Sequence, residues 1–180
     1  NGFGKEAGDA LATSKRIAKI AFTGSTPIGR HILHAAADNL IPSTVELGGK
    51  SPNIFFADVM DRDDAFFDKA LEGFSMFALN QGEICSAPTR ILVQESIYER
   101  FIARATQRVE SMKAGHPLDA KTLLGAQVSQ AQMDKILGYI DIGRAEGAQC
   151  LTGGARNAPS EDLKDCFYVK PTLLFGNNGM

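Results

Sequence analysis

Three stretches of the sequence carry residue types that do chemistry. Cys85 follows a polar glycine turn, Asn80-Gln81-Gly82, and precedes the small residues Ser86 and Ala87, a setting that can leave a thiol accessible rather than buried. An accessible thiolate attacks carbonyl carbons and forms thioesters, whereas most free cysteines are inert and buried. Glu46 closes an apolar stretch, with Gly48 and Gly49 close behind it. A carboxylate at a strand end beside a cleft can act as a general base; the same group paired with Lys50 or held by a nearby N–H does no chemistry. The third stretch, Gly24-Ser25-Thr26-Pro27-Ile28-Gly29, lies between an apolar run and a helical pattern. Backbone N–H groups and the positive end of a helix can receive a phosphate there, but such glycines also serve purely conformational turns. Taken singly, each stretch leaves both readings open.

Alternating β and α patterns must position these residues. Residues 5–15 read as a short helix and 17–22 as a buried strand. A helix runs from the glycine turn to about Asp38, with Pro27 in its first turn, where a missing N–H costs nothing. Residues 44–47 form a second strand, so the first 49 residues read as part of a parallel βαβ sheet. A second α/β unit follows, beginning with a strand at 53–56. The carboxylates from Asp58 to Asp64 favour a helix start. Apolar residues then recur at helical spacing over 63–79, including Phe66, Phe67, Phe74 and Phe77 as core. A strand at 90–94, helices at 97–113 and 129–147, a strand at 149–152, a Gly153-Gly154 turn, a surface loop at 155–165 and a final strand at 168–175 complete the pattern.

The bulk properties exclude several classes. The 180 residues are 44% hydrophobic, enough for a sizeable core, and the net charge of −2 with scattered Lys and Arg offers no field for nucleic acid. No apolar run approaches the roughly 20 residues that span a bilayer, so no membrane partner is expected. Cys85, Cys150 and Cys166 are too few and too widely spaced for a disulfide framework or a Cys-x-x-Cys metal site, so reduced thiols are the simplest reading, and with no signal-peptide pattern in the first residues the default location is the cytoplasm. His31 and His34 share a helix, but no carboxylate or cysteine completes a metal set, and no metal is expected. The start at Asn1-Gly2-Phe3-Gly4 and the end at Asn177-Asn178-Gly179-Met180 read as the middle of something longer.

Phe22-Thr23-Gly24-Ser25-Thr26, Glu46-Leu47-Gly48-Gly49-Lys50-Ser51 and Gln81-Gly82-Glu83-Ile84-Cys85 follow one another in order and at approximate spacing. In this the whole chain resembles the aldehyde dehydrogenase superfamily. The segment Ser51-Pro52-Asn53-Ile54-Phe55-Phe56-Ala57-Asp58, with Asn80-Gln81-Gly82-Glu83 before the cysteine, is most similar to bacterial acetaldehyde dehydrogenases, which oxidise short aliphatic aldehydes.

The resemblance implies an α/β fold: residues 1–46 as the C-terminal part of a Rossmann-like NAD(P)-binding domain, and 47–180 as the N-terminal part of an α/β catalytic domain. It implies Cys85 as nucleophile and Glu46 as general base. Gly24, Ser25, Thr26, Pro27, Ile28 and Gly29 would form the turn beside the coenzyme pyrophosphate, and Leu47 would contact the nicotinamide end through its backbone. Family members commonly carry a polar residue where Pro27 stands, so only a backbone role carries over there. The implied reaction takes a small aldehyde to its carboxylate with NAD or NADP, through a thiohemiacetal and a thioester, in a homodimeric or homotetrameric parent protein. An asparagine that helps hold the oxyanion in the family has no counterpart in this chain. Two rivals remain: a coenzyme-A-acylating relative, against which Glu46 argues, and an inactive piece that only binds or associates.

Overall fold

A computed structural model describes residues 1–177 and 179. The contacts divide the chain into two units, Asn1–Gly49 and Lys50–Met180.

In the first unit a π-type turn, Gly4–Gly8, leads into the short helix α1 (Asp9–Ala12). Strands β1 (Ile20–Thr23) and β2 (Ser43–Glu46) run parallel, with Ile20 opposite Ser43 and Thr23 opposite Glu46. Helix α2 (Thr26–Asp38) connects them, as parallel strands require a crossover. Its buried positions, Gly29, Ile32, Ala35 and Ala36, recur at three- and four-residue spacing and form one face. That face closes on Ala12 and Ile20, with Phe22 and Val45 partly buried beside them. The small alanines let the helix lie close to the strands.

The second unit is built on a phenylalanine cluster. Strands β3 (Pro52–Phe55) and β4 (Arg90–Val93) are parallel neighbours, and helices α3 (Ala65–Ser75) and α4 (Tyr98–Glu110) pack against each other beside them. Asp64 caps α3 by accepting from the N–H groups of Phe66 and Phe67. Phe101 on α4 is 0% exposed and is ringed by Phe55, Phe74 and Phe67, at centroid distances of 4.7, 5.7 and 6.2 Å. Tilted and edge-on contacts of this kind add to the burial of large apolar area. Helix α5 (Gln130–Ala145), capped by Ser129, leads to the antiparallel pair β5 (Gln149–Thr152) and β6 (Leu173–Phe175).

Three expectations from the sequence need correction. The helix expected over 63–79 stops at Ser75, whose hydroxyl donates to the carbonyls of Leu71 and Glu72; Met76–Gly82 winds on as tighter turns broken at Leu79, Asn80 and Gln81. Phe66 is 59% exposed, because the buried stripe of α3 runs through Phe67, Leu71 and Phe74 and Phe66 lies about 100° round the helix from it. The final strand is confined to Leu173–Phe175, with Val169 making only an isolated bridge to Arg156. Pro171 cannot donate to a ladder, and Gly153 and Gly154 take left-handed φ values of 78° and 73° opposite it.

Phe101→Ala is expected to destabilise the chain by about 3–5 kcal/mol, read as a lower urea midpoint at unchanged slope. Gly153→Ala should cost roughly 2–4 kcal/mol, because a Cβ there would stand 2.1 Å from the Pro171 carbonyl oxygen at a φ that disfavours side chains.

Candidate active site

In the first unit, strand pairing brings Glu46 to the opening of α2. The Gly24 N–H donates to the Glu46 carbonyl at 3.0 Å, directly after the Thr23–Glu46 register pair. The Glu46 side chain is exposed at the C-terminal end of β2. This assigns the glycines roles that the sequence left open. The Gly24 amide is spent on β2, and the buried Gly29 spends its amide on the Ser25 carbonyl at 2.9 Å. Neither offers an N–H to a ligand. Gly29 instead permits close packing, since a Cβ there would meet the Leu47 side chain at 2.5 Å. Ser25 stands in extended backbone before the helix and makes no side-chain capping bond. Helix geometry leaves the N–H groups of Thr26 and Ile28 without intrahelical partners, and Pro27 has none to offer. The amides of Ser25, Thr26 and Ile28 have no hydrogen-bond partner among the described residues.

Beside α2, within the same unit, lies a cavity of about 780 Å³ with Gly4, Gly8, Ile20, Ile28 and Ile32 among its lining residues. Its walls are mostly apolar, and Ile28 connects them to the first turn of the helix.

Cys85 belongs to the second unit and is exposed, in a turn closed by the Ala87 N–H on the Ile84 carbonyl at 3.2 Å. The backbone before it is unusual: Asn80, Gln81 and Gly82 take φ values of 49°, 47° and 82° in succession. Glycine adopts this region freely and asparagine readily, so the strain, on the order of 1 kcal/mol, falls mainly on Gln81. Glu83 N–H donates to the Asn80 carbonyl at 3.0 Å and closes the turn. The loop is also tied to a distant segment. Gly125 N–H donates to Gln81 Oε1 at 3.2 Å, Gln127 Nε2 to the Gln81 carbonyl at 3.2 Å, and Val128 N–H to Glu83 Oε1 at 3.0 Å. Gln127 is a buried polar residue that nothing in the sequence singles out, because it lies far from Cys85 in a stretch with neither helical nor strand periodicity.

Cys150 and Cys166 are half-buried, and Cys150 donates its thiol to the Thr152 carbonyl. His31 pairs with Asp9 on the surface. No cluster of three or more His, Cys, Asp or Glu that could hold a metal occurs among the described residues, and no described helix is long and apolar enough to cross a membrane.

The aldehyde dehydrogenase family model matches residues 1–179. The chain is 64% identical over 180 residues to aldehyde dehydrogenase B of Escherichia coli, and 64% identical over 180 residues to acetaldehyde dehydrogenase 2 of Cupriavidus necator. In both comparisons all of this chain is covered, but only 35% and 36% of the relative. The chain thus spans about a third of the length of the curated relatives it matches. The crystal structure of HpcC from Thermus thermophilus superposes with a TM-score of 0.88 at 37% identity, covering 99% of this chain and 34% of that one. That of betaine aldehyde dehydrogenase from Staphylococcus aureus in complex with NAD+ gives 0.84 at 38%, covering 96% of this chain and 33% of that one. With an α/β fold shared with these structures and a family match along nearly its whole length, the chain belongs to the aldehyde dehydrogenase family.

Proposed function

We propose that this chain is the nucleophile- and base-bearing part of an NAD(P)-dependent aldehyde dehydrogenase that oxidises short aliphatic aldehydes to carboxylates. The reading rests above all on the Gly24 N–H bond to the Glu46 carbonyl at 3.0 Å. It holds an exposed carboxylate and the open end of a helix on one strand pair, so a base and an anion-receiving turn share a frame. The amides of Ser25, Thr26 and Ile28, with the helix dipole behind them, suit a pyrophosphate. The apolar cavity along Ile28 and Ile32 suits a flat base such as adenine. Residues 1–46 would then close a coenzyme domain and 47–180 open a catalytic one.

In the proposed chemistry the Cys85 thiolate attacks the aldehyde carbon to form a thiohemiacetal, with the Cys85 backbone N–H donating to its oxyanion. A nicotinamide, when bound, takes the hydride from that carbon, and the sulfur is left holding a thioester. Glu46 removes a proton from the water that attacks the thioester, the C–S bond breaks, and the carboxylate leaves with Cys85 restored. Acetaldehyde is the preferred model substrate, in keeping with the name of the Cupriavidus relative and with the wording of residues 51–58. The parent protein is proposed to be a homo-oligomer. The three free cysteines fit a reducing cytoplasm.

In the complete enzyme, Glu46→Gln should give one burst of reduced coenzyme and then a steady rate lowered by about 10²–10⁴, with acyl-enzyme detectable by mass spectrometry. A normal steady rate would remove Glu46 as the base, and coenzyme A in place of water as the acyl acceptor would favour the acylating relative. Cys85→Ser should abolish the burst. In the unmodified protein Cys85 should alkylate faster than Cys150 or Cys166; equal labelling counts against an accessible nucleophile. The 180-residue chain alone, mixed with acetaldehyde and NAD or NADP, should show little or no reduced nicotinamide, and sustained turnover would overturn that expectation.

A further inference from the structure

We infer that Gln81, Glu83 and Gln127 act as positioning residues that clamp the Cys85 loop in a strained conformation; the inference rests on the proposed role of Cys85. Three successive left-handed residues, Asn80, Gln81 and Gly82, do not hold their shape unaided. Strain of this kind persists only where the surroundings over-determine it. The surroundings here are the three hydrogen bonds to Gly125, Gln127 and Val128, which take both the side chain and the main chain of Gln81 and the carboxylate of Glu83.

A clamp is only as good as its anchor, and this anchor is itself held. Gln127 N–H donates to the Phe167 carbonyl at 2.8 Å, Leu124 N–H to the Lys113 carbonyl at 3.1 Å, and Gly115 N–H to the Leu124 carbonyl at 3.2 Å. The buried Tyr168 hydroxyl donates to the Gly115 carbonyl at 2.7 Å, and burial raises the phenol above its ordinary pKa. Gln127 is 6% exposed, and its Oε1 has no hydrogen-bond partner among the described residues. A buried amide that satisfies its donor and leaves its acceptor unmet is costly for stability alone. Its side-chain amide donates to the carbonyl of Gln81, inside the strained turn. The loop reaches Cys85 directly after Glu83-Ile84, so a shift of Glu83 moves the sulfur.

Misplacing a reacting atom by about 1 Å can cost on the order of a hundredfold in rate. A positioning role therefore predicts a split that a merely structural role does not. In the complete enzyme, Glu83→Ala and Gln127→Met should lower the burst rate at least tenfold while KM for acetaldehyde changes less than threefold. Glu83→Gln should recover most of the rate, since its amide oxygen still accepts from Val128 N–H. Hydrogen exchange of the amides at 82–87 should speed at least tenfold in Glu83→Ala, with exchange around Phe67 and Phe101 unchanged. Burst rates within twofold of the parent in both loss variants, or Glu83→Gln as slow as Glu83→Ala, would overturn the inference. If Gln127→Met does not fold, the Glu83 pair decides it. Exchange reads the loop whatever Cys85 does, so unchanged exchange sinks the clamp, whereas an undiminished burst in Cys85→Ser sinks the role of Cys85 instead.

Discussion

The left-handed turn at Asn80-Gln81-Gly82 is the constraint on which the second unit depends. Helix α3 spends its apolar face on the Phe101 cluster, and the chain must then leave the helix after Ser75 and turn before it enters β4 at Arg90. A further α-helical turn would carry Cys85 onward along the helix axis. The left-handed residues reverse the path, and the bonds from Gly125, Gln127 and Val128 hold the reversal. A stable aromatic core and a strained loop are thus adjacent in sequence and opposite in character, the core supplying the rigidity against which the strain is kept.

The first unit solves a similar problem with less strain. Its strands are parallel, so their C-terminal ends meet at one edge, and Glu46 and the start of α2 arrive together because of that polarity. Gly29 lets the helix press onto Leu47, and the small faces of Ala35 and Ala36 continue the close contact. Side-chain volume on α2 therefore governs how near its first turn lies to the end of β2. The glycines of this turn serve geometry, and the amides not spent on the fold belong to their non-glycine neighbours.

Local chemistry made most elements legible. Asp64 and Ser129 announce the helices they cap, and the α2 stripe is visible in Ile32, Ala35 and Ala36. Periodicity misjudged the end of α3 because Phe77 and Ala78 continue the apolar rhythm after the backbone has stopped being helical. The exposure of Phe66 has a related cause: composition counts four phenylalanines, but a helix buries only those within one stripe.

By itself the sequence determined the alternation of strands and helices, the exposed turn carrying Cys85, and the family, since these depend on residue type and on order along the chain. Only the tertiary structure decided which amides remain free at the α2 turn, because that depends on whether Gly24 pairs with β2. It alone placed Gln127 against Gln81, since a hydrogen bond between residues so far apart in sequence leaves no local pattern and exists only once the fold brings the two segments together.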